Sequence, residues 1–210
     1  MTFWRRPTRP TEPAPTDAVG EYRHVTVLFA DIEGFTSLAE RLPPREVVSL
    51  LNEYFTAMTE VVMAHGGVLD KYIGDAMMVV WEGDPASGAA QAAQAALHMQ
   101  RELGGLQEKW LAEGKLPLKC RIGISSGRVI VGQIGSPIRQ DRTVIGDAVN
   151  TAARLEALNK EYFTDIIMSQ NTYQLINEQA RVRALGIVTI KGRLEPLGIY
   201  ALTGWAADGH

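Results

Sequence analysis

Two aspartates stand where packing alone gives no reason for a carboxylate. The run His24-Val-Thr-Val-Leu-Phe-Ala-Asp31 is mostly apolar and rich in β-formers, as a strand buried on both faces would be, yet it ends in an acid. Gly34 follows closely, and a short helix is expected to start there. Free N–H groups at a helix start suit phosphate. A carboxylate beside an anion site makes chemical sense when a divalent cation bridges the two. Asp75 lies 44 positions later, at the tip of an expected hairpin. Two strand-end carboxylates of this kind could share a hard metal ion such as Mg²⁺. Each taken alone serves equally well as a turn former.

The elements that must position these residues follow from periodicity. Val68–Tyr72 and Ala76–Trp81 flank Ile73-Gly74-Asp75 and read as a hairpin. After Pro43-Pro44, residues Val47, Leu51, Tyr54, Met58 and Val61 recur at helical spacing, and Gly66-Gly67 stop the helix. Residues 86–113 form an alanine-rich helix with Gly104-Gly105 as a weak point. Leu118–Ile124 reads as a strand, turned by Ser125-Ser126-Gly127 and continued by Arg128–Val131. Thr143–Ile145 is a short strand, and Asp147 has the look of an N-cap for a helix over 148–158. A strand, a short helix and two closing strands (about 181–191 and 197–203) complete the chain. Strands and helices mix without strict βαβ alternation, which favours an α+β fold with helices on one face of a sheet.

The chain has 210 residues, 46% of them apolar and 21% charged, which suits one globular domain with a sizeable core. Its 21 basic and 24 acidic residues leave a net charge of −3, so no global field attracts nucleic acid. No run of about 18 uninterrupted apolar residues occurs, so no helical membrane span is expected, nor does the N-terminus carry a signal-peptide core. The single cysteine, Cys120, permits no internal disulfide and fits a reducing, cytoplasmic setting. Residues 1–20, with Pro7, Pro10, Pro13 and Pro15, read as an extended linker, as if cut from a longer protein. Arg5, Arg6 and Arg9 there belong to a solvated tail. The folded domain is expected over 21–205, with a short tail at 206–210.

Four segments in order then resemble the class III nucleotidyl cyclases: Phe29-Ala-Asp31-Ile-Glu-Gly-Phe-Thr36, Lys71-Tyr-Ile-Gly-Asp75, Arg121-Ile-Gly-Ile-Ser-Ser-Gly127 and Val144-Ile-Gly-Asp-Ala-Val-Asn-Thr-Ala-Ala-Arg154. The resemblance runs from about residue 22 to 203. It implies a ferredoxin-like βαββαβ core with additional strands, and an active site between two catalytic domains set head to tail. Asp31 and Asp75 match the metal-binding aspartates, with Ile32 counted among the metal-contacting positions. The implied cofactor is two ions of Mg²⁺ or Mn²⁺ per site. Lys71 and Thr143 match the pair that reads the purine. Asn150 and Arg154 match the ribose-orienting and transition-state residues. Arg121 and Lys191 match basic positions that hold the triphosphate, and Gly34, Phe35 and Thr36 join the substrate-binding set.

Every polar position is filled, which implies a homodimer with two equivalent sites and cyclisation of ATP to 3′,5′-cyclic AMP and pyrophosphate. A guanylate cyclase of the same fold and an inactive nucleotide-sensing or dimerisation module are the alternatives. The threonine at 143 resembles a subclass associated with bicarbonate stimulation, and an upstream regulatory domain is implied if the chain is a fragment.

The spacing is compatible with these roles. Asn150 and Arg154 are i and i+4 on one helix face and can reach one nucleotide. Singly, Asn150 could be a helix-surface amide and Arg154 a salt-bridge partner of Glu156 or another acid. Lys71 and Asp75, only four apart, have opposite tasks, which a dimer resolves by giving each to a different site. Cys120 is expected to fill the core, as are Met77 and Met78. His24, His65 and His98 form no ligand spacing, and Arg181 and Arg183 belong to a solvated strand face.

Overall fold

The computed structural model describes residues 20–189 and 195–206. Residues 1–19 of the expected linker, Lys191, and residues 207–210 of the expected tail lie outside the described residues. Among the described residues eight strands form one sheet in the order β2-β3-β1-β4-β6-β8-β7, with β5 paired to β4. The strands are β1 (Glu21–Ile32), β2 (Val68–Ile73), β3 (Ala76–Glu82), β4 (Cys120–Ser136), β5 (Arg139–Ile145), β6 (Ile166–Ser169), β7 (Ala180–Val188) and β8 (Leu197–Trp205). The helices are α1 (Phe35–Ala39), α2 (Pro44–Ala64), α3 (Pro85–Ala112), α4 (Asp147–Tyr162) and α5 (Gln170–Ile176). The β1-α2-β2β3-α3-β4 portion, with β1 and β3 at its centre, has the expected ferredoxin-like order. All pairings are antiparallel except β4 with β6.

β1 is central because its apolar run serves two cores at once. Leu28, Ala30 and Ile32 face α2 and α3, while Val25, Val27 and Phe29 face the other way. The first core holds Tyr54 and Met58 of α2, the alanines of α3, Trp81 and Trp110. Alanine at Ala89, Ala92, Ala93 and Ala96 leaves no room beyond the backbone, so α3 lies close on the sheet. Helix α3 passes unbroken through Gly104-Gly105. The expectation of helices on one face holds for α2, α3 and α5. Helix α4 lies on the opposite face, where Ala148 and Ala152 pack with Val25, Val27 and Val129.

Two local readings differ from the structure. Ser125-Ser126-Gly127 does not turn: β4 runs straight through, paired with Val27, Thr26 and Val25 of β1. The buried serine hydroxyl is satisfied inside the sheet, with Ser126 Oγ 2.8 Å from Thr26 Oγ1 and 3.0 Å from Thr172 Oγ1. A satisfied hydroxyl costs little to bury, so the local turn preference loses to the ladder. Asp147 is not the N-cap of α4; Gly146 holds that place, and Asp147 sits in the first turn, where its charge suits the positive helix end. The β2–β3 hairpin and the Pro43-Pro44 helix start are as expected.

Candidate active site

The antiparallel register builds the first half of the site. Ala30 of β1 opposes Met77 of β3, so the chain ends just beyond carry Asp31 beside the β2–β3 turn with Asp75. On its other edge Asp31 opposes Arg121 of β4. The Asp75 carboxyl lies near enough to Asp31 to act on its charge. Burial first, and then the Asp75 charge, push Asp31 up to about 6, while Arg121 pulls it back. From α4, Glu156 enters the same region; burial and then Asp31 push it up to about 7, again with Arg121 opposing. Arg121 Nε lies 3.3 Å from Glu156 Oε1. Both atoms are buried and the contact misses hydrogen-bond geometry, so neither is fully satisfied.

Asp31 and Glu156 thus both act on the one guanidinium of Arg121, and Asp75 adds a third negative charge to the region, an arrangement short of positive charge. Among the described residues no three carboxylate, imidazole or thiol groups converge to hold a metal unaided. Asp31 and Asp75 supply two hard oxygen donors whose mutual repulsion a divalent cation would remove, and this donor set fits Mg²⁺ or Mn²⁺. The floor beneath is apolar and inert. Tyr54 Oη donates to Cys120 Sγ at 3.0 Å, and burial pushes the Cys120 thiol up to about 12. Cys120 therefore fills the core, as expected, and is no nucleophile.

Gly34 and its neighbours follow the end of β1. Gly34 has φ +69°, a left-handed conformation that glycine adopts without strain, and it caps the start of α1 two residues after Ile32. Phe35 packs on the first core, and Thr36 is exposed. Ile32 is itself buried.

The second half of the site is a cluster around Asp70, a residue the sequence reading passed over. Thr143 Oγ1 donates to Asp70 Oδ2 at 2.9 Å, and Lys71 Nζ is 3.2 Å from the same oxygen. The Asp70 side chain is 8% exposed and Lys71 40%. Strands β2 and β5 are not neighbours in the sheet, so this contact ties the β4–β5 arm back across it. A second tie runs from Arg142 Nη2 to Glu82 Oε1 at 2.8 Å. Lys71 and Thr143, matched as a pair in sequence, meet on a shared partner.

Helix α4 carries Asn150, which is exposed, and Arg154, which is half-buried. The helix is fixed by Asn159, whose Nδ2 donates to the Ile122 carbonyl at 2.9 Å, and by Gly123, over which the α4 backbone passes directly. Glu156 pairs with Arg121 and not with Arg154, because a two-residue offset puts Arg154 and Glu156 on different helix faces. The signal for Glu156 was present: it falls between the buried Ala152 and Asn159 at helical spacing. Asp70 had only its adjacency to Lys71. Met77 and Met78 are buried on opposite faces, and Arg181 and Arg183 are exposed on β7. His65 and His98 do meet, with Nε2 and Nδ1 3.2 Å apart, but no third ligand joins them among the described residues.

A ferredoxin-like core that sets Asp31 beside the Asp75 turn and joins Lys71 to Thr143 through Asp70 is consistent with a nucleotidyl cyclase catalytic domain. The chain belongs to that family: the model of the adenylate and guanylate cyclase catalytic domain matches residues 18–204. Adenylate cyclase 1 of Rhizobium meliloti is 35% identical over 184 residues, which cover 87% of this chain and 28% of that protein. The chain therefore spans less than a third of that relative's length. The adenylyl cyclase CyaB of P. aeruginosa superposes with a TM-score of 0.82 at 33% identity, covering 89% of this chain and 96% of that one. The guanylyl cyclase Cya2 gives the same TM-score at 34% identity, covering 90% and 96%. No helix among the described residues is long and apolar enough to cross a membrane.

Proposed function

We propose that this domain is an adenylate cyclase, converting ATP to 3′,5′-cyclic AMP and pyrophosphate at two equivalent sites of a homodimer. The backbone does not choose the purine, since adenylyl and guanylyl cyclases superpose on it equally. The observation that carries the choice is the Lys71–Asp70–Thr143 cluster. A lysine ammonium is donor-only and suits the acceptor N1 of adenine; a threonine oxygen accepts from the 6-amino group. Guanine reverses both edges.

One protomer would contribute Asp31, Asp75 and Arg121, and its partner Lys71, Thr143, Asn150 and Arg154. Asn150 orients the ribose so that its 3′-oxygen lies in line with the α-phosphorus, a proximity effect. Arg154 meets the charge that grows on the α-phosphate as the 3′-oxygen attacks and pyrophosphate leaves. Arg121 and Lys191 hold the triphosphate, with the main chain at Gly34, Phe35 and Thr36 along it. Divalent cations held by Asp31, Asp75 and the Ile32 main chain would acidify the 3′-hydroxyl and neutralise the β- and γ-phosphates.

The test is direct. Purified protein with Mn²⁺ should release pyrophosphate and cyclic AMP from ATP and make little cyclic GMP from GTP. Comparable kcat/KM for the two nucleotides would overturn the adenylate assignment. No product from either would leave a nucleotide-sensing or dimerisation module.

A further inference from the structure

Thr143 is ambiguous as a reader of the purine edge. A hydroxyl carries one donor and two acceptor lone pairs, and its rotor is free. Rotated one way it accepts from the 6-amino group of adenine; rotated the other way it donates to O6 of guanine. By itself, then, Thr143 discriminates poorly.

The structure removes that freedom. Asp70 is a carboxylate, which accepts only, and its Oδ2 takes the Thr143 proton at 2.9 Å. With the proton committed inward, Thr143 can present only lone pairs to a base. The same oxygen lies 3.2 Å from Lys71 Nζ, so one ammonium proton is directed at Asp70 and the others stay available. Asp70 and Thr143 are each 8% exposed, which limits competition from water for their contact. The Arg142–Glu82 contact one residue away holds β5 in place independently.

We infer that Asp70 is the positioning residue that sets purine specificity: it orients Thr143 as an acceptor and Lys71 as a donor, the pattern complementary to adenine. This rests on the adenylate cyclase reading above. Asp70 acts through its two neighbours and touches no substrate atom. Guanine brings O6 against the fixed lone pairs and N1–H against the ammonium. Removing Asp70 frees the rotor, so Thr143 can donate to O6, and guanine loses one of its two clashes.

The experiment compares wild type, Asp70→Ala, Thr143→Val and the double variant. It measures kcat/KM for ATP and GTP, and the affinities for 3′-deoxy-ATP and 3′-deoxy-GTP, which bind but cannot cyclise. Asp70→Ala should lower the ATP-to-GTP ratio about tenfold, the size of one neutral hydrogen bond, in both turnover and binding. In the Thr143→Val background the same change should move the ratio several-fold less, because the rotor is gone. An unchanged ratio in Asp70→Ala, or an equal change in both backgrounds, overturns the inference while leaving the cyclase reading intact. A wild type with no preference between the nucleotides overturns both. Asp70→Asn, which is isosteric and offers Thr143 a donor as readily as an acceptor, should shift the ratio the same way and serves if Asp70→Ala does not fold.

Discussion

Gly123→Ala is the substitution that most directly tests how the fold positions the chemistry. Gly123 lies in β4 beneath α4, and a Cβ there would overlap the Ala152 carbonyl oxygen and the Glu156 amide nitrogen, and sit 3.0 Å from Glu156 Cα. All three atoms are helix backbone, so no side chain can rotate away. Restoring ordinary contact distances requires α4 to retreat by about 1 Å. Overpacking of this kind costs about 1–3 kcal/mol, and a clash with rigid backbone belongs at about 3.

The displaced helix carries Asn150 and Arg154, and a shift of about 1 Å at positioned groups can cost about a hundredfold in rate. The expected result is a urea midpoint lowered by about 3 kcal/mol of stability, with kcat down about a hundredfold under conditions where the protein is still folded. Gly105→Ala is the control: it lies inside α3 with open space around its Cβ, and should stabilise by up to about 1 kcal/mol. A Gly123→Ala variant within 1 kcal/mol of wild type and fully active would refute the close-approach argument.

Asp31→Asn should abolish cyclase activity yet raise the melting temperature of metal-free protein at pH 8. The carboxyl's folded value, about 6, lies above its ordinary 3.8, so its destabilising charge is present above about pH 6 and gone below about 4, where the variant should match wild type. A variant less stable than wild type at pH 8 would contradict this. Glu53 runs the other way: Lys115 and Lys109 hold it down at about 2, below its ordinary 4.5. Its contribution is present above about pH 4.5 and lost as pH falls towards 2; after solvent screening it is about 1 kcal/mol. The stability gap between wild type and Glu53→Gln should therefore close between pH 5 and pH 2, and a constant gap would count against it. Lys71→Ala and Asp75→Ala should each be nearly inactive, and an equilibrated mixture should recover part of the activity through dimers with one intact site. A mixture that exchanges subunits and stays inactive would place the whole site in one chain.

Much of this molecule was written in local pattern. The apolar run before Asp31 identified a central strand because only a strand buried on both faces tolerates such a sequence, and β1 indeed feeds two cores. The hairpin at Gly74-Asp75 and the helix from Pro44 followed from turn and start chemistry that acts within a few residues. The motifs around Asp31, Asp75 and Asn150 were legible for the same reason. Tertiary structure decided what local rules cannot reach. Ser125-Ser126-Gly127 has turn chemistry, but hydroxyl partners from Thr26 and Thr172, distant in the chain, keep it in the sheet. The face taken by α4 depends on Gly123 and Asn159, whose contacts exist only once β4 is formed. Asp70 and Glu156 acquire their meaning from Thr143 and Arg121, and the first of these pairings joins residues 73 apart. A hydrogen bond or an ion pair is a property of two places brought together. Sequence marks which residues have that capacity, and only the folded chain selects their partners.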